Sequence, residues 1–118
     1  MFALSAHRRI FLYSKAVDMR KGFDGLSGLV QQQMGMDACS GDAFLFVGRR
    51  LDRLKVLVWE PDGFWLYYKR LEAGTFRLPD TDDGPVLLSR GELSLLLEGL
   101  EVEVKRRRKR YQKPAVLI

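Results

Sequence analysis

Two periodicities divide the chain. In "RRIFLYSK", residues 8–15, Ile10 and Leu12 alternate with Phe11 and Tyr13, so both faces are apolar, as in a strand covered on both sides. Met19, Phe23, Leu26, Val30 and Met34 then fall on one stripe at helical spacing, with Asp18 placed to cap and Gly35 to stop, which predicts a long helix over 18–34. Gly22, Gly25 and Gly28 lie inside that stretch, and each costs about 1 kcal/mol relative to Ala in a helix interior. The expected compensation is a helix backbone lying close to a sheet or a partner.

Residues 43–70 carry the clearest pattern: "AFLFVGR", "RLKVLVW", the turn "EPDG", and "FWLYYKR". Pro61, Asp62 and Gly63 suit a type I turn, and the whole predicts a three-stranded antiparallel meander. Strand direction reverses at each turn. The loop with Arg49, Arg50 and Arg53 is therefore expected at the same end as Lys69 and Arg70, giving a cationic rim that Lys55 and Arg77 could join. After the acidic link "DTDDGP", residues 89–99 predict a second helix, with a capping box from Ser89 and Glu92, a Leu93/Leu96/Leu97/Leu100 stripe and Gly99 near its end. "EVEVK" alternates like a short strand. The fold class is α/β in the α+β sense: a mostly antiparallel sheet with a three-stranded meander, packed by one long N-terminal helix and a shorter C-terminal helix. A chain of 118 residues is long enough for one core, which gives a single compact domain over 1–104 and an arm over 105–118.

Charge changes this picture by its position. The net charge is +5, yet seven of the twenty Lys and Arg lie in "KRRRKRYQK", residues 105–113. Thirteen basic residues then face fifteen acidic ones, so the remaining body is slightly acidic. A run of five basic residues from Arg106 to Arg110, mostly Arg, suits phosphate better than a solvated tail needs to. No apolar run approaches the roughly 18 residues of a membrane span, and no basic start precedes an apolar stretch, so a cytoplasmic protein without a membrane partner is expected.

Catalytic chemistry finds little support. One histidine, His7, and one cysteine, Cys39, do not make a zinc site or an internal disulfide, and no cofactor is implied. Asp18, Asp24, Asp52, Glu60 and Asp62 sit at expected caps and turns rather than in mid-strand, where carboxylates of two-metal nucleases project. "GFDGLSGL" lacks the order of a phosphate-binding loop. Among the aromatics, Trp65 and Tyr67 are the candidates for base stacking, since their strand face ends beside Lys69.

The strings "VDMRKGFDGLSGLV", "SGDAFLFVGRRLDRLKVLVWEPDGFWLYYKRLEAGTFRLP" and "LLLEGL", in this order, resemble the small accessory protein of IS66-type insertion sequences. The resemblance covers almost the whole chain. It implies a non-enzymatic helper in DNA transposition, working beside a separate, larger transposase. Asp18, Arg20, Lys21, Asp24, Arg50, Asp52, Arg53, Lys55, Lys69 and Arg70 match its motifs. Gly48 stands where a polar residue, often Asn, is usual, Leu78 replaces a common Trp before Pro79, and the arm is richer in Arg. DNA and the transposase are the expected partners. Phosphate contacts are expected from Arg20, Lys21, Arg49, Arg50, Arg53, Lys55, Lys69 and Arg70, and from Lys105, Arg106, Arg107, Arg108, Lys109 and Arg110. Docking to the transposase without DNA contact, and a small metal-dependent nuclease using Asp18 and Asp24, are the alternatives.

Overall fold

The computed structural model of the protein describes residues 7–79 and 84–98. Along the chain these form β1 (Ile10–Leu12), α1 (Phe23–Gln32), β2 (Ala43–Val47), β3 (Arg53–Glu60), β4 (Gly63–Arg70), β5 (Val86–Leu88) and α2 (Arg90–Leu97). The strands make one sheet in the order β4-β3-β2-β1-β5. The expected meander is present as β2, β3 and β4, closed at one end by the Glu60↔Gly63 pair around Pro61 and Asp62. The sheet is more than a meander, however. β1 lies parallel to β2 and antiparallel to β5, which makes the sheet mixed. A parallel pair needs a crossover, and the segment carrying α1 supplies it.

Alternation along the strands feeds two cores. Ile10, Leu12, Leu45, Val56 and Val58 face one side, where they meet Phe76 and the Leu93, Leu96 and Leu97 stripe of α2. Phe11, Phe44, Phe46 and Leu57 face the other side, where Leu26 and Val30 of α1 cover them. Central strands β1 and β2 are therefore buried throughout, as their uninterrupted apolar runs require. Each fully buried Phe or Leu contributes about 1.5–3 kcal/mol relative to exposure. α2 begins as expected: the Ser89 hydroxyl accepts from Glu92 N at 3.1 Å while the Glu92 carboxylate accepts from Ser89 N at 2.7 Å.

The N-terminal helix departs from expectation. It has 10 residues, starts at Phe23, and its cap is Gly22, with no side-chain hydrogen bond. Residues 18–21 are a turn instead, because Val17 still bridges to Gly48 as an extension of the β1–β2 pairing. The carbonyls that a longer helix would use are also taken: Met19 O and Lys21 O each accept from Lys55 Nζ at 2.8 Å. Asp18 does not cap the helix; its carboxylate accepts from Arg20 N at 2.9 Å. The close-approach account of the glycines also fails on the sheet side. A Cβ on Gly28 would meet nothing within 4 Å, and one on Gly25 would meet only the Lys21 side chain. The helix does stop near Gly35, which takes a left-handed φ of +64°. Leu100, Gly99, "EVEVK" and the 105–118 arm lie outside the described residues. No helix among the described residues is long and apolar enough to cross a membrane.

Candidate nucleic-acid interface

The β2–β3 hairpin tip is built to project cations. Leu51 N donates to Gly48 O and Gly48 N donates to Arg53 O, both at 2.9 Å, so Arg49 and Arg50 occupy the outside of a tight turn. Leu51 itself is held at φ +63°, a left-handed conformation of order 1–3 kcal/mol for a residue with a side chain. Its carbonyl accepts from Phe76 N at 2.6 Å and its side chain packs on the α2-side core, which fixes the turn from behind. At Gly48 an added Cβ would come within 2.5 Å of Met19 Cγ, so a larger residue there requires Met19 to move.

The turn at 18–20, this hairpin tip and the end of β4 enclose an open cleft of about 400 Å³. Arg20, Arg49, Arg50 and Arg53 line it, with Asp52 and Tyr68. A second hollow of about 430 Å³ adjoins it, lined by Arg53, Tyr68, Arg70 and Glu72. The Arg53↔Arg70 register pair joins the two, as the meander predicted. Arg49, Arg50 and Arg53 make no ion pair among the described residues. Arg20 forms a forked pair with Asp18, at 2.7 Å for the closest contact, while its side chain stays 91% exposed. That hydrogen-bonded guanidinium holds the Asp18 carboxyl well below the usual carboxylate range, and raises the pKa of Arg20 in turn. Arg70 meets Glu72 at 3.1 Å in an exposed pair. One Asp52 carboxylate oxygen is buried without a hydrogen-bond partner.

Several expected members lie elsewhere. Lys55 is only 7% exposed and is spent on the Met19 and Lys21 carbonyls; its role is to pin the 18–21 turn. Lys69 points to the opposite sheet face, where Nζ donates to Leu97 O at 2.6 Å, at the negative end of α2. Lys21 is exposed but does not line the cleft, and neither does Arg77. Lys105 to Arg110 lie outside the described residues. Period-two alternation, applied strictly, separates Lys69 from Arg70 and would have signalled this division.

The aromatic candidates change for the same reason. Trp65 and Tyr67 stack on each other, 6.2 Å apart, on the α2 side of the sheet, with Tyr67 packed against the core. Tyr68 is the aromatic residue on the arginine side, 56% exposed and opposite Lys55 in the register. Of the carboxylates weighed for metal chemistry, Asp18 is engaged by Arg20 and Asp24 is exposed in the first turn of α1. No three His, Cys, Asp or Glu side chains form a metal-holding group among the described residues.

A small α+β protein that displays arginines around a shallow cleft has the layout of a binding module. The chain belongs to the IS66 Orf2-like family, whose model matches residues 8–107, and the resemblance read from the motif strings is thereby borne out. That family is one of accessory proteins of insertion-sequence transposition. The chain is 39% identical over 108 residues to the Sinorhizobium fredii protein y4jC, covering 91% of this chain and 92% of that one. It is 34% identical over 93 residues to y4hO of the same organism, covering 79% and 81%. Both relatives are described as uncharacterised proteins. No solved structure matches the chain.

Proposed function

We propose that this protein assists transposition by gripping DNA phosphates at the arginine end of its sheet, and that it leaves strand transfer to the separate transposase. The observation that carries this reading is the convergence of Arg49, Arg50 and Arg53 on one cleft with no carboxylate paired to them among the described residues. An exposed guanidinium without an internal partner keeps its forked donors for a phosphate. Arg20 and Arg70, each paired with a carboxylate, flank these three, and the basic run from Lys105 to Arg110 is included among the proposed phosphate contacts on its composition.

Titrating duplex-DNA binding against salt tests it. Log affinity should fall linearly with log salt, by about 0.9 per phosphate contacted, and the Arg49→Ala/Arg50→Ala double variant should lower the slope by about 1.8. Absent or salt-independent binding of both duplex and single-stranded DNA by the full chain overturns the reading. A second role, docking to the transposase, is favoured by Trp65, which is 57% exposed on the face away from the cleft. Co-purification with transposase in the presence of nuclease, lost on Trp65→Ala, would support it; co-purification unaffected by that change would remove Trp65 from the role.

A further inference from the structure

We propose that Tyr68 is a stacking platform for an unpaired base, so that the cleft takes single-stranded DNA in preference to duplex; this rests on the nucleic-acid reading above. Tyr68 is the one aromatic residue that lines either hollow, and it lines both. Arginines bracket it: Arg20, Arg49 and Arg50 on the first hollow, Arg70 on the second, and Arg53 on each. Its ring is more than half exposed, whereas Phe64 and Leu66, on the same face of β4, pack against the core.

The ring's position is also fixed. Lys55 Nζ lies 4.8 Å from the Tyr68 centroid, and that ammonium is anchored by two backbone carbonyls. One ring face is thus occupied by a held cation, which leaves the other for a ligand. A flat ring between cations suits a strand whose backbone runs along the arginines while one base lies on the ring. Duplex DNA keeps its bases stacked on one another and offers no base face to such a ring. Its phosphates would engage the arginines and leave Tyr68 idle.

The test measures equilibrium binding of the full chain to a fluorescent oligothymidylate and to a duplex of equal length, at one salt concentration. Wild type should bind the single strand more tightly. Tyr68→Ala should weaken that binding about five- to 150-fold, the range for loss of one base–ring stack, and change duplex binding less than about twofold. Tyr68→Phe should retain wild-type affinity, and Arg50→Ala should weaken both forms. If Tyr68→Ala leaves single-strand binding intact, or weakens both forms equally while Arg50→Ala still weakens both, the stacking inference falls and the phosphate reading stands. If neither form binds, both fall. Thermal melting of Tyr68→Ala checks that its fold is retained.

Discussion

At the end of the sheet where β2 begins and β3 stops, Arg8 donates to Glu60 at 2.7 Å and to the carbonyls of Gly41 and Trp59, and Arg9 forks onto Asp42. At the opposite end, Arg49, Arg50 and Arg53 face a cleft without such partners among the described residues. The same side chain thus serves two purposes in one small sheet. At the first end it ties loop backbone to strand ends, and the charge is cancelled within the fold. At the second it is carried on a turn held from behind by Leu51 and Phe76, and its charge is directed outward. Lysine divides similarly. Lys55 and Lys69 are tethered to carbonyls, so their donors are engaged within the fold and they support the cationic end rather than present those donors to a phosphate. Counting cations in a sequence therefore overstates a binding surface, and asking which have internal acceptors corrects the count.

Substitutions can break this contrast. The largest effect is expected from Lys55→Ala, which removes the donor shared by two part-buried carbonyls. A charged donor contributes about 1.5–3 kcal/mol per hydrogen bond, and the lower figure for each of the two bonds gives an expected loss of about 3 kcal/mol in denaturant unfolding. A loss below about 1 kcal/mol would mean that the ammonium does not hold the 18–21 turn. Next comes the direct comparison of arginines. Arg8→Ala should cost about 1.5–2 kcal/mol of stability and leave the salt slope of DNA binding unchanged. Arg50→Ala should do the converse: stability within about 0.5 kcal/mol of wild type, and a slope lower by about 0.9. Equal behaviour of the two would erase the distinction between the ends.

The smallest effect concerns Asp18→Asn. Because Arg20 lowers the Asp18 carboxyl in the folded protein, the unfolded chain takes up that proton more readily. The pair's contribution is then fully present above the ordinary carboxylate range and disappears as pH falls through the lowered value. The stability difference between wild type and variant should be small, constant from neutral pH to about pH 5, and shrink in stronger acid. Chemical denaturation across that range measures it, and a difference that grows on acidification contradicts the pairing.

The meander and α2 were legible because their signals are local: alternation with Pro61, Asp62 and Gly63 between strands, and the Ser89/Glu92 cap before a leucine stripe. The overlong first helix arose from a real stripe with a tertiary cause. Met19 packs beside the same core that Leu26 and Val30 fill, yet it reaches that core from a turn pinned by Lys55, more than thirty residues away. The parallel β1–β2 pairing was hidden because strand neighbours are not encoded in periodicity, and β5 because three residues, "VLL", are too few to show a period. The cationic end was found through strand reversal. Its membership differs where Lys69 and Arg70, neighbours at one end of the strand, are counted on one rim although period two sends them to opposite faces, and Tyr68, on the face of Arg70, is passed over for Trp65 and Tyr67.

The placement of β1 bears on how the protein is made. This short strand sits between two neighbours that both follow it in the chain, β2 and then β5. During synthesis its edges stay open until those segments leave the ribosome, and Ile10 and Leu12 lack α2 to cover them until nearly the last described residue is translated. Such dependence on distant pairing slows folding, and an uncovered edge invites association with other chains. A message cut short before residue 84 should therefore yield an aggregating fragment rather than a smaller working domain.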